Sequence, residues 1–555
     1  MNADIPVPVA TSKIRRGGRT QRLAARTQAE QINFVPSQRQ IPVYDLLTKH
    51  EIKQLQDQCD WLLQEVGVEF IDDAESIELL SRAGAQVSGT RVRFKPGLLM
   101  DICATAPKSF QLHGRDPKHT VTVGGNQLVF TPAYGAPFVT DLDQGRRYAT
   151  LLDFENFVKL AYQTPYLHHS GGTVCEPMDV AVNKRHLDMV YAHLRYSTKP
   201  FMGAVTAPDR AEDSVAMARI VFGAEFMENH CVMQGNINVN SPLCFDQTMT
   251  SALKVYAQAG QGIVLSPFIL GGAMGPVTMP ALVAQAHAEA LVGIALSQLV
   301  RPGTPVVYGN FLSTINLKTG APTFGTPEAN LAALAIGQLC RAMGLPLRCG
   351  GHLTAAKSAD GQAMQESADS MTAGLMAGAN YILHAAGWLE GGLTMGYEKF
   401  VMDLDRCGMM LRFNQGLNLD NNSFAKDAYL EAGPGGNFIG AKHTMANFEQ
   451  ANYMIGKSEW DYWMNPNTVD EIGDARVSFA VGARRRLKLI EDNITFFEDG
   501  QEIMPGVAAR ATFGHTPGHM AIEVRDGSES VMILGDCIGN HHVAFAKPEW
   551  NSGSD

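Results

Sequence analysis

The sequence has 555 residues, enough for one large domain with appendages or for two to three ordinary domains. Apolar residues make up 45% and charged residues 18%, a globular composition that excludes a mainly disordered chain. The formal net charge of −11 argues against a general nucleic-acid binder, and nine scattered cysteines without a CxxC pair indicate reduced thiols in a cytoplasm.

The amino-terminal 40 residues are polar and lack an apolar signal core, so the sequence predicts no secretory signal. Their basic side chains predict a flexible arm over residues 1–40, solvated in preference to docked on an acidic partner. These basic residues are Arg15, Arg16, Arg19, Arg22 and Arg26. The longest membrane-like run, 281–300, contains Gln285, His287 and Glu289, which predicts a buried helix and no membrane span.

Residues 41–125 read as a helical lead-in followed by short strands. Beyond them, short apolar runs alternate with helical segments at intervals of roughly 30–40 residues, which is typical of repeated βα units. We predict strands at 128–132, 167–171, 201–205, 232–236, 263–267, 305–309, 346–350 and 381–385. The predicted helices between them include 210–222, 247–259, 281–300, 327–343 and 362–377. This pattern predicts an α/β fold of the (β/α)8 TIM-barrel type. The alternative, an open doubly wound sheet, is weakened because no GxGxxG follows the first strand.

Aromatic and polar side chains follow these strands, and the strand ends of a barrel converge on one pocket. The residues at these ends include Tyr134, Asn236, Tyr308, His352, His384 and Trp388. Rings, amides and imidazoles with few fixed charges suit a quaternary ammonium, which has no donors and binds against ring faces. Amide and imidazole donors can orient a carboxylate on the same ligand. We therefore predict Tyr134 and Trp388 as cation-facing rings, with His352, His384 and Asn236 as orienting donors.

Within the predicted pocket, the catalytic candidates are His352 and His384. The predicted substrate-binding residues are Tyr134, Asn236, Tyr308, Trp388 and Gln362. Asp360 and Glu366 at the same helix start have the alternative role of capping or solvating it. His168 and His169 alternate along one strand, so at most one of them enters the pocket. The histidines have no tight spacing such as HExxH, so we predict no metal in the barrel.

Ordered motifs run through residues 15–480 and carry a family resemblance. They are RRGGR at 15–19, NINVNSPL at 236–243, GAMGPVT at 272–278, PGTP at 302–305, GTPE at 325–328 and DGQ at 360–362, with Glu289 and Gln298. In these motifs the chain resembles the trimethylamine methyltransferase family. The resemblance implies a barrel enzyme that moves a methyl group from a methylated amine to the cobalt of a separate corrinoid protein. It implies that the partner carries the cobalamin and that this chain binds no cofactor tightly.

The best-known members of that family carry pyrrolysine in the pocket, in the region that aligns loosely with 351–353. This chain has only ordinary residue types. It is therefore similar to the non-pyrrolysine branch, which resembles demethylases of quaternary amines such as glycine betaine. Cob(I)alamin is a strong nucleophile and a quaternary ammonium carries a neutral leaving amine. The protein then needs mainly to desolvate, hold and aim the methyl group, without a general acid.

A change in composition near residue 485 predicts a separate carboxyl-terminal piece. Residues 486–555 carry GHTPGH at 514–519 and LGDC at 534–537. In these motifs the segment resembles the second half of a metallo-β-lactamase fold, where the residues matching His515 and Asp536 bind metal. The upstream HxHxDH is missing, so we predict only a remnant and no working dinuclear zinc site. The predicted domains are an arm at 1–40, a barrel at 41–485 and this partial segment at 486–555.

Two other functional classes stay open from sequence. One is a non-catalytic protein that binds quaternary amines, and the other is a zinc hydrolase acting through the tail, which the absent ligands disfavour. For the leading interpretation we predict a corrinoid protein and a small methylated amine as partners, with no nucleic acid and no membrane. The size is compatible with a homo-oligomer.

Overall fold

The computed structural model describes residues 38–438, 441–447, 453–491, 494–504, 506–526, 529–537 and 546. The chain divides into two compact units, Met1–Gly416 and Leu417–Asp555. Of the basic arm predicted for residues 1–40, only the last three residues lie in the described part. There Arg39 is buried and donates a hydrogen bond of 2.5 Å to the Ala379 carbonyl, so this end of the arm is part of the fold.

The strands of the first unit are short. The first of them are β1 Val68–Ile71, β2 Gln86–Ser88, β3 Arg91–Arg93, β4 Ser109–Leu112, β5 Val121–Gly124, β6 Val129–Phe130, β7 Phe138–Thr140 and β8 Arg147–Tyr148. They are followed by β9 Phe201–Met202, β10 Met233–Ile237, β11 Cys244–Asp246, β12 Gly262–Leu265, β13 Phe268–Gly271, β14 Val306–Gly309, β15 Phe311–Thr314, β16 Leu347–Gly350, β17 Tyr381–Leu383, β18 Trp388–Leu389 and β19 Thr394–Gly396.

Helices alternate with these strands. They are Lys49–Trp61, Ala74–Arg82, Leu98–Cys103, Leu151–Gln163, Arg185–Tyr196, Pro208–Phe222, Ala224–Asn229, Gln247–Gln258, Met279–Val300, Pro327–Met343, Gly361–Met376 and Tyr397–Asn414. Polar caps define several starts, because a side-chain oxygen before a helix accepts from its free N–H groups. Thr48 and Thr150 form capping boxes, and Asp360 accepts from the Ala363 N–H, which is the capping role considered for it from sequence.

The centre of the first unit is a seven-stranded sheet with the order β6-β17-β16-β14-β12-β10-β9, in which every neighbouring pair is parallel. Its members lie at seven of the eight predicted strand positions. The predicted helices 210–222, 247–259, 281–300, 327–343 and 362–377 each match an observed helix to within two residues at either end. The first unit is therefore a mixed α/β structure around a parallel sheet, as the βα rhythm of the sequence predicted.

The eighth predicted strand, 167–171, is not a regular strand, but it lies between the two edges of this sheet. The His168 N–H donates to the Phe130 carbonyl of β6 at 3.0 Å. On the other side, the Met202 N–H of β9 donates to the Gly171 carbonyl at 2.8 Å. The backbone of 167–171 thus connects both edges, and the sheet curls.

Strand register determines which side chains face the inside of the curled sheet. Residues paired across parallel strands share a face, and Arg348 is paired with both Gly309 and Tyr381. Tyr381 in turn pairs with Val129, and both belong to an apolar cluster inside the sheet. Arg348 therefore lies on the inner face.

The antiparallel hairpin β4–β5 contributes to the same inner cluster through Leu112, Val121 and Val123. The outer face of the sheet is covered by helices. Among the described residues, Met279–Val300 is the helix long and apolar enough to cross a membrane, and 83% of its most apolar window is buried inside the protein. A buried core helix can have the same length and composition as a membrane span. The polar residues Gln285, His287 and Glu289 predict a buried helix here.

The second unit contains the helices Asn421–Phe424, Lys426–Ala432, Lys442–Asn447, Lys457–Met464, Thr468–Glu471 and Val477–Leu489. Its strands are β20 Tyr453–Gly456, β21 Ile494–Phe497, β22 Glu502–Met504, β23 Val507–Ala511, β24 Met520–Asp526 and β25 Glu529–Ile533. β20 pairs with β21, and β22 to β25 form an antiparallel sheet in chain order. Strands on either side of residue 485 are therefore paired, and the domain boundary predicted there stays a prediction.

Candidate active site

The inner face of the parallel sheet carries a buried cation. Arg348 stands in β16 with 1% of its surface exposed. Its Nη1 donates to the Asn310 carbonyl at 2.7 Å, its Cζ lies 4.6 Å from the centre of the Phe311 ring, and its Nε has no hydrogen-bond partner among the described residues. No carboxylate in the described part of the chain forms an ion pair with it. Burial lowers the pKa of Arg348 to about 10, so the guanidinium is charged at neutral pH.

Aromatic rings gather beside this cation. We call Phe311, Phe324, His384 and Trp388 the aromatic cage. The Phe311 ring centre lies 5.1 Å from that of His384 and 5.6 Å from that of Phe324. The Trp388 ring centre is 4.3 Å from that of His384 and 5.3 Å from that of Phe324. The faces of these rings carry negative electrostatic potential and can attract a ligand cation.

Two buried histidines present N–H donors. The Tyr134 backbone N–H donates to Nδ1 of His384 at 3.2 Å, and the Gly171 N–H donates to Nδ1 of His169 at 2.9 Å. An accepting ring nitrogen carries no proton, so each neutral ring holds its proton on Nε2. Both Nε2 atoms are buried without a hydrogen-bond partner among the described residues. Burial holds the pKa of both imidazoles well below the ordinary value, so both rings are neutral donors.

His352 has the opposite arrangement. Its Nδ1 lies 2.7 Å from the Ala385 carbonyl, which only accepts, so Nδ1 carries the proton and Nε2 is left as an acceptor. That Nε2 is buried without a hydrogen-bond partner in the described residues. Burial, with the nearby Lys399 charge, holds the pKa of His352 well below its ordinary value. All three imidazoles are therefore uncharged at neutral pH, and none can act as a cationic acid.

The structure brings together some of the predicted site residues. His384 and Trp388 are in contact, and the Tyr134 backbone is bonded to His384 while its ring is half-buried. Asn236 pairs with Val264, a member of the inner cluster, so it lies on the inner face, and its Oδ1 has no hydrogen-bond partner among the described residues.

Two predicted substrate-binding residues lie elsewhere. The Tyr308 hydroxyl is 2.9 Å from Nδ1 of His287 on the helix Met279–Val300, so this side chain faces the outer helices and not the interior. Gln362 is exposed on the first turn of its helix, and its Nε2 donates to Glu366 at 2.9 Å. Strand-end position alone does not determine which way a side chain points, because successive residues face opposite sides of a strand.

Sequence reasoning missed Arg348, Phe311 and Phe324 as site residues, whereas His169 was considered there as one of a pair of which at most one enters the pocket. The signal for Arg348 was present, because a single arginine interrupts the apolar strand Leu347–Gly350. A charge inside a buried strand is costly unless it has a partner, and this makes it a candidate for ligand binding. Phe311 has no such signal, since a phenylalanine after an apolar strand is most often core.

The tail residues proposed as a metal remnant are near each other but do not form a cluster. Nε2 of His515 lies 3.9 Å from Oδ2 of Asp536, and both side chains are substantially exposed. Within the described residues, no group of three or more His, Cys, Asp or Glu side chains is arranged to hold a metal ion. The described part of the tail therefore offers fewer ligands than zinc needs.

The parallel sheet thus surrounds a buried guanidinium, aromatic rings and donors that have no partner in the described part of the chain, which are features of a small-molecule site. The chain belongs to the trimethylamine methyltransferase (MTTB) family, whose model matches residues 15–481. The glycine betaine methyltransferase of Desulfitobacterium hafniense (strain Y51) is 38% identical over 427 residues, which cover 76% of this chain and 89% of the relative. The proline betaine:corrinoid methyltransferase of Eubacterium limosum is 27% identical, with 78% of this chain and 90% of the relative covered.

The similar solved structures have low TM-scores. The monomethylamine methyltransferase MtmB of Methanosarcina barkeri covers 80% of this chain and 98% of its own at 11% identity, with a TM-score of 0.44. The hydrolase AbOPH of the beta lactamase superfamily is 26% identical over 19% of this chain and 37% of its own, with a TM-score of 0.17. Neither similarity is high enough to support a conclusion about the fold or about the tail.

Proposed function

We propose that this protein transfers a methyl group from a quaternary ammonium that also carries a carboxylate, such as glycine betaine, to the reduced cobalamin of a corrinoid protein. The observation that carries the proposal is Arg348, a buried guanidinium next to an aromatic cage and without a carboxylate among the described residues. The family and the printed names of its relatives support the reaction class.

The carboxylate of the ligand would pair with Arg348. An isolated buried charge costs several kcal/mol, and a fixed partner of opposite charge recovers much of that penalty. Nε of Arg348 and the Nε2–H groups of His384 and His169 are all donors, and none of them has a hydrogen-bond partner among the described residues. Donors without a competing carboxylate suit a carboxylate ligand, which only accepts.

The trimethylammonium head would lie against the aromatic cage. It has no N–H, so it gains nothing from hydrogen-bond acceptors, and it is attracted by ring faces. Contact with this packed group of rings, Phe311, Phe324 and Trp388, would remove its hydration and fix the direction of one methyl group. When bound alongside, the reduced cobalamin of the partner supplies the nucleophile.

In this proposal the predicted catalytic histidines orient the ligand, although Nε2 of His352 is an acceptor and not the donor predicted from sequence. His384 is a neutral donor and His352 a neutral acceptor, as their hydrogen bonds require. Proton transfer from either ring is unnecessary. When the N–CH3 bond breaks, the positively charged nitrogen keeps the bonding electron pair, so the amine leaves as a neutral molecule. Asn236 and Tyr134 are further ligand contacts in this proposal, from the inner face and the strand end respectively.

We further propose that the curled sheet is a closed barrel. The backbone contacts of residues 167–171 to β6 and β9 support an eight-membered closed barrel of the (β/α)8 type, with the site at the carboxyl ends of its strands. All nine cysteines are unpaired, which supports a cytoplasmic location. The cobalamin, by this reading, stays with the corrinoid partner.

The second candidate is a protein that binds quaternary amines without turning them over, which the aromatic cage would equally serve. The two functions are separated by mixing the full-length protein with chemically reduced cobalamin and glycine betaine, and following the absorbance of methylcobalamin. Trimethylamine is the control donor, because it lacks the carboxylate. Growth of methylcobalamin with glycine betaine alone supports the proposal. Binding of glycine betaine without methyl transfer supports the binder.

A further inference from the structure

A fully buried ion pair lies directly behind the aromatic cage. Nζ of Lys399 and Oδ1 of Asp403 are 2.5 Å apart, one turn apart on the helix Tyr397–Asn414, and both side chains are 0% exposed. Burying two charges costs more than burying apolar groups of the same size, so such a pair is weak evidence for stability. A role other than stability is indicated by the contacts of the second carboxylate oxygen, Oδ2 of Asp403.

That oxygen holds the backbone of the cage. Oδ2 of Asp403 accepts from the Gly387 N–H at 2.9 Å. Gly387 has a φ of +94°, and a Cβ there would lie 2.5 Å from Sδ of Met395, so this turn requires glycine. The next residue is Trp388, whose indole Nε1–H donates to the Thr354 carbonyl at 3.1 Å. The backbone entering Trp388 is thus fixed by the Asp403 hydrogen bond and by the Gly387 carbonyl, which accepts from the Gly396 N–H at 2.9 Å. The indole ring is fixed by its own hydrogen bond to Thr354.

At the other end of the segment 384–388, the backbone is strained. His384 has a φ of +64°, in the left-handed region that non-glycine residues avoid. Between the two ends, the Ala385 carbonyl lies 2.7 Å from Nδ1 of His352, and this nitrogen is itself 3.5 Å from Oδ1 of Asp403. Asp403 thus contacts the segment 384–388 directly through Gly387 and indirectly through His352.

We propose that Asp403 and Lys399 are positioning residues for ligand binding: Asp403 anchors the segment 384–388, which carries two walls of the aromatic cage, and Lys399 keeps Asp403 ionised and in place. This inference rests on the proposed function for the identity of the ligand. Asp403 acts through Gly387 and touches no ligand itself.

Two double variants separate anchoring from the burial of charge. K399M/D403N removes both charges but leaves an amide oxygen that can accept from Gly387. K399M/D403L removes the acceptor as well, at a similar volume. We expect the asparagine variant to bind glycine betaine within about threefold of the wild type, and the leucine variant to bind it at least about tenfold more weakly, because a hydrogen bond to a buried acceptor is lost. Binding is measured by calorimetry on the full-length protein without cobalamin.

Hydrogen exchange followed by mass spectrometry gives a readout that needs no ligand. Peptides covering 384–388 should exchange faster in the leucine variant and at the wild-type rate in the asparagine variant. Equal protection and equal affinity in both variants would overturn the positioning role. If the wild type itself binds no glycine betaine, the proposed function fails, and the exchange contrast alone decides whether Asp403 anchors the segment. Should the leucine variant not fold, K399M/D403A replaces it, since alanine removes the acceptor without adding bulk.

Discussion

Trp388 shows how one residue contributes both apolar surface and a fixed orientation. It is 4% exposed, touches His384 and Phe324, and is anchored through its indole N–H. A ring held in this way can contact a cation without losing further side-chain freedom on binding. Leucine would keep the apolar volume in part but has no ring face.

We therefore expect Trp388→Leu to weaken glycine betaine binding by roughly tenfold, within the range of a desolvated cation–ring contact, and Trp388→Phe to keep most of the affinity. Calorimetry on the full-length variants measures both. Trp61→Leu is the matched control, because Trp61 is 52% exposed on a surface helix and should leave binding unchanged. Equal affinity of the leucine and phenylalanine variants would argue against a ring contact.

The elements of the first unit were largely predictable from sequence. Buried parallel strands appear as short apolar runs, and the helices between them begin at proline or at capping residues such as Asp246 and Asp360. What the sequence does not determine is the direction of each side chain. Tyr308 follows Val307 in β14, both are fully buried, and only the register shows that Val307 faces inward and Tyr308 outward. Hence Tyr308 was assigned to the pocket and Arg348 was overlooked.

The close packing of two helices at Gly337 could not be predicted from the sequence either. Glycine inside a helix costs about 1 kcal/mol relative to alanine, so propensity argues against it at the centre of Pro327–Met343. A Cβ on Gly337 would lie 2.4 Å from the carbonyl oxygen of Ala377, at the end of the helix Gly361–Met376. The absence of a side chain allows these two helices to approach closely.

Gly337→Ala should therefore lower the free energy of unfolding by about 1–3 kcal/mol, the usual cost of overpacking, despite the higher helix propensity of alanine. Chemical denaturation measures the change. Gly361→Ala is the control, since a Cβ there meets no atom within 4 Å. A stabilised Gly337→Ala protein would mean that the helices separate without penalty.

At the scale of the whole molecule, every residue assigned to the proposed site belongs to the unit Met1–Gly416. The family match continues to residue 481, and the pairing of β20 with β21 reaches beyond it. The tail carries His515 and Asp536 without further ligands among the described residues. The second unit thus contributes no assigned chemistry.

Removal of residues 486–555 should accordingly leave methyl transfer to free reduced cobalamin within about threefold of the full-length rate, although β20 loses its partner β21. The rate of methylcobalamin formation is the measurement, with zinc content determined in parallel on both proteins. A loss of activity greater than tenfold would show that the tail supports the site.

The central claim is that Arg348 selects a carboxylate on a quaternary amine. The most direct test compares kcat/KM for cobalamin methylation with glycine betaine and with choline, which shares the trimethylammonium head but carries a neutral hydroxyl, in the wild type and in Arg348→Met. The wild type should prefer glycine betaine by about 100-fold or more, because choline leaves the buried guanidinium unpaired, and the variant should lose that preference. Equal rates with both donors in the wild type, or a preference that survives in the variant, would contradict the account.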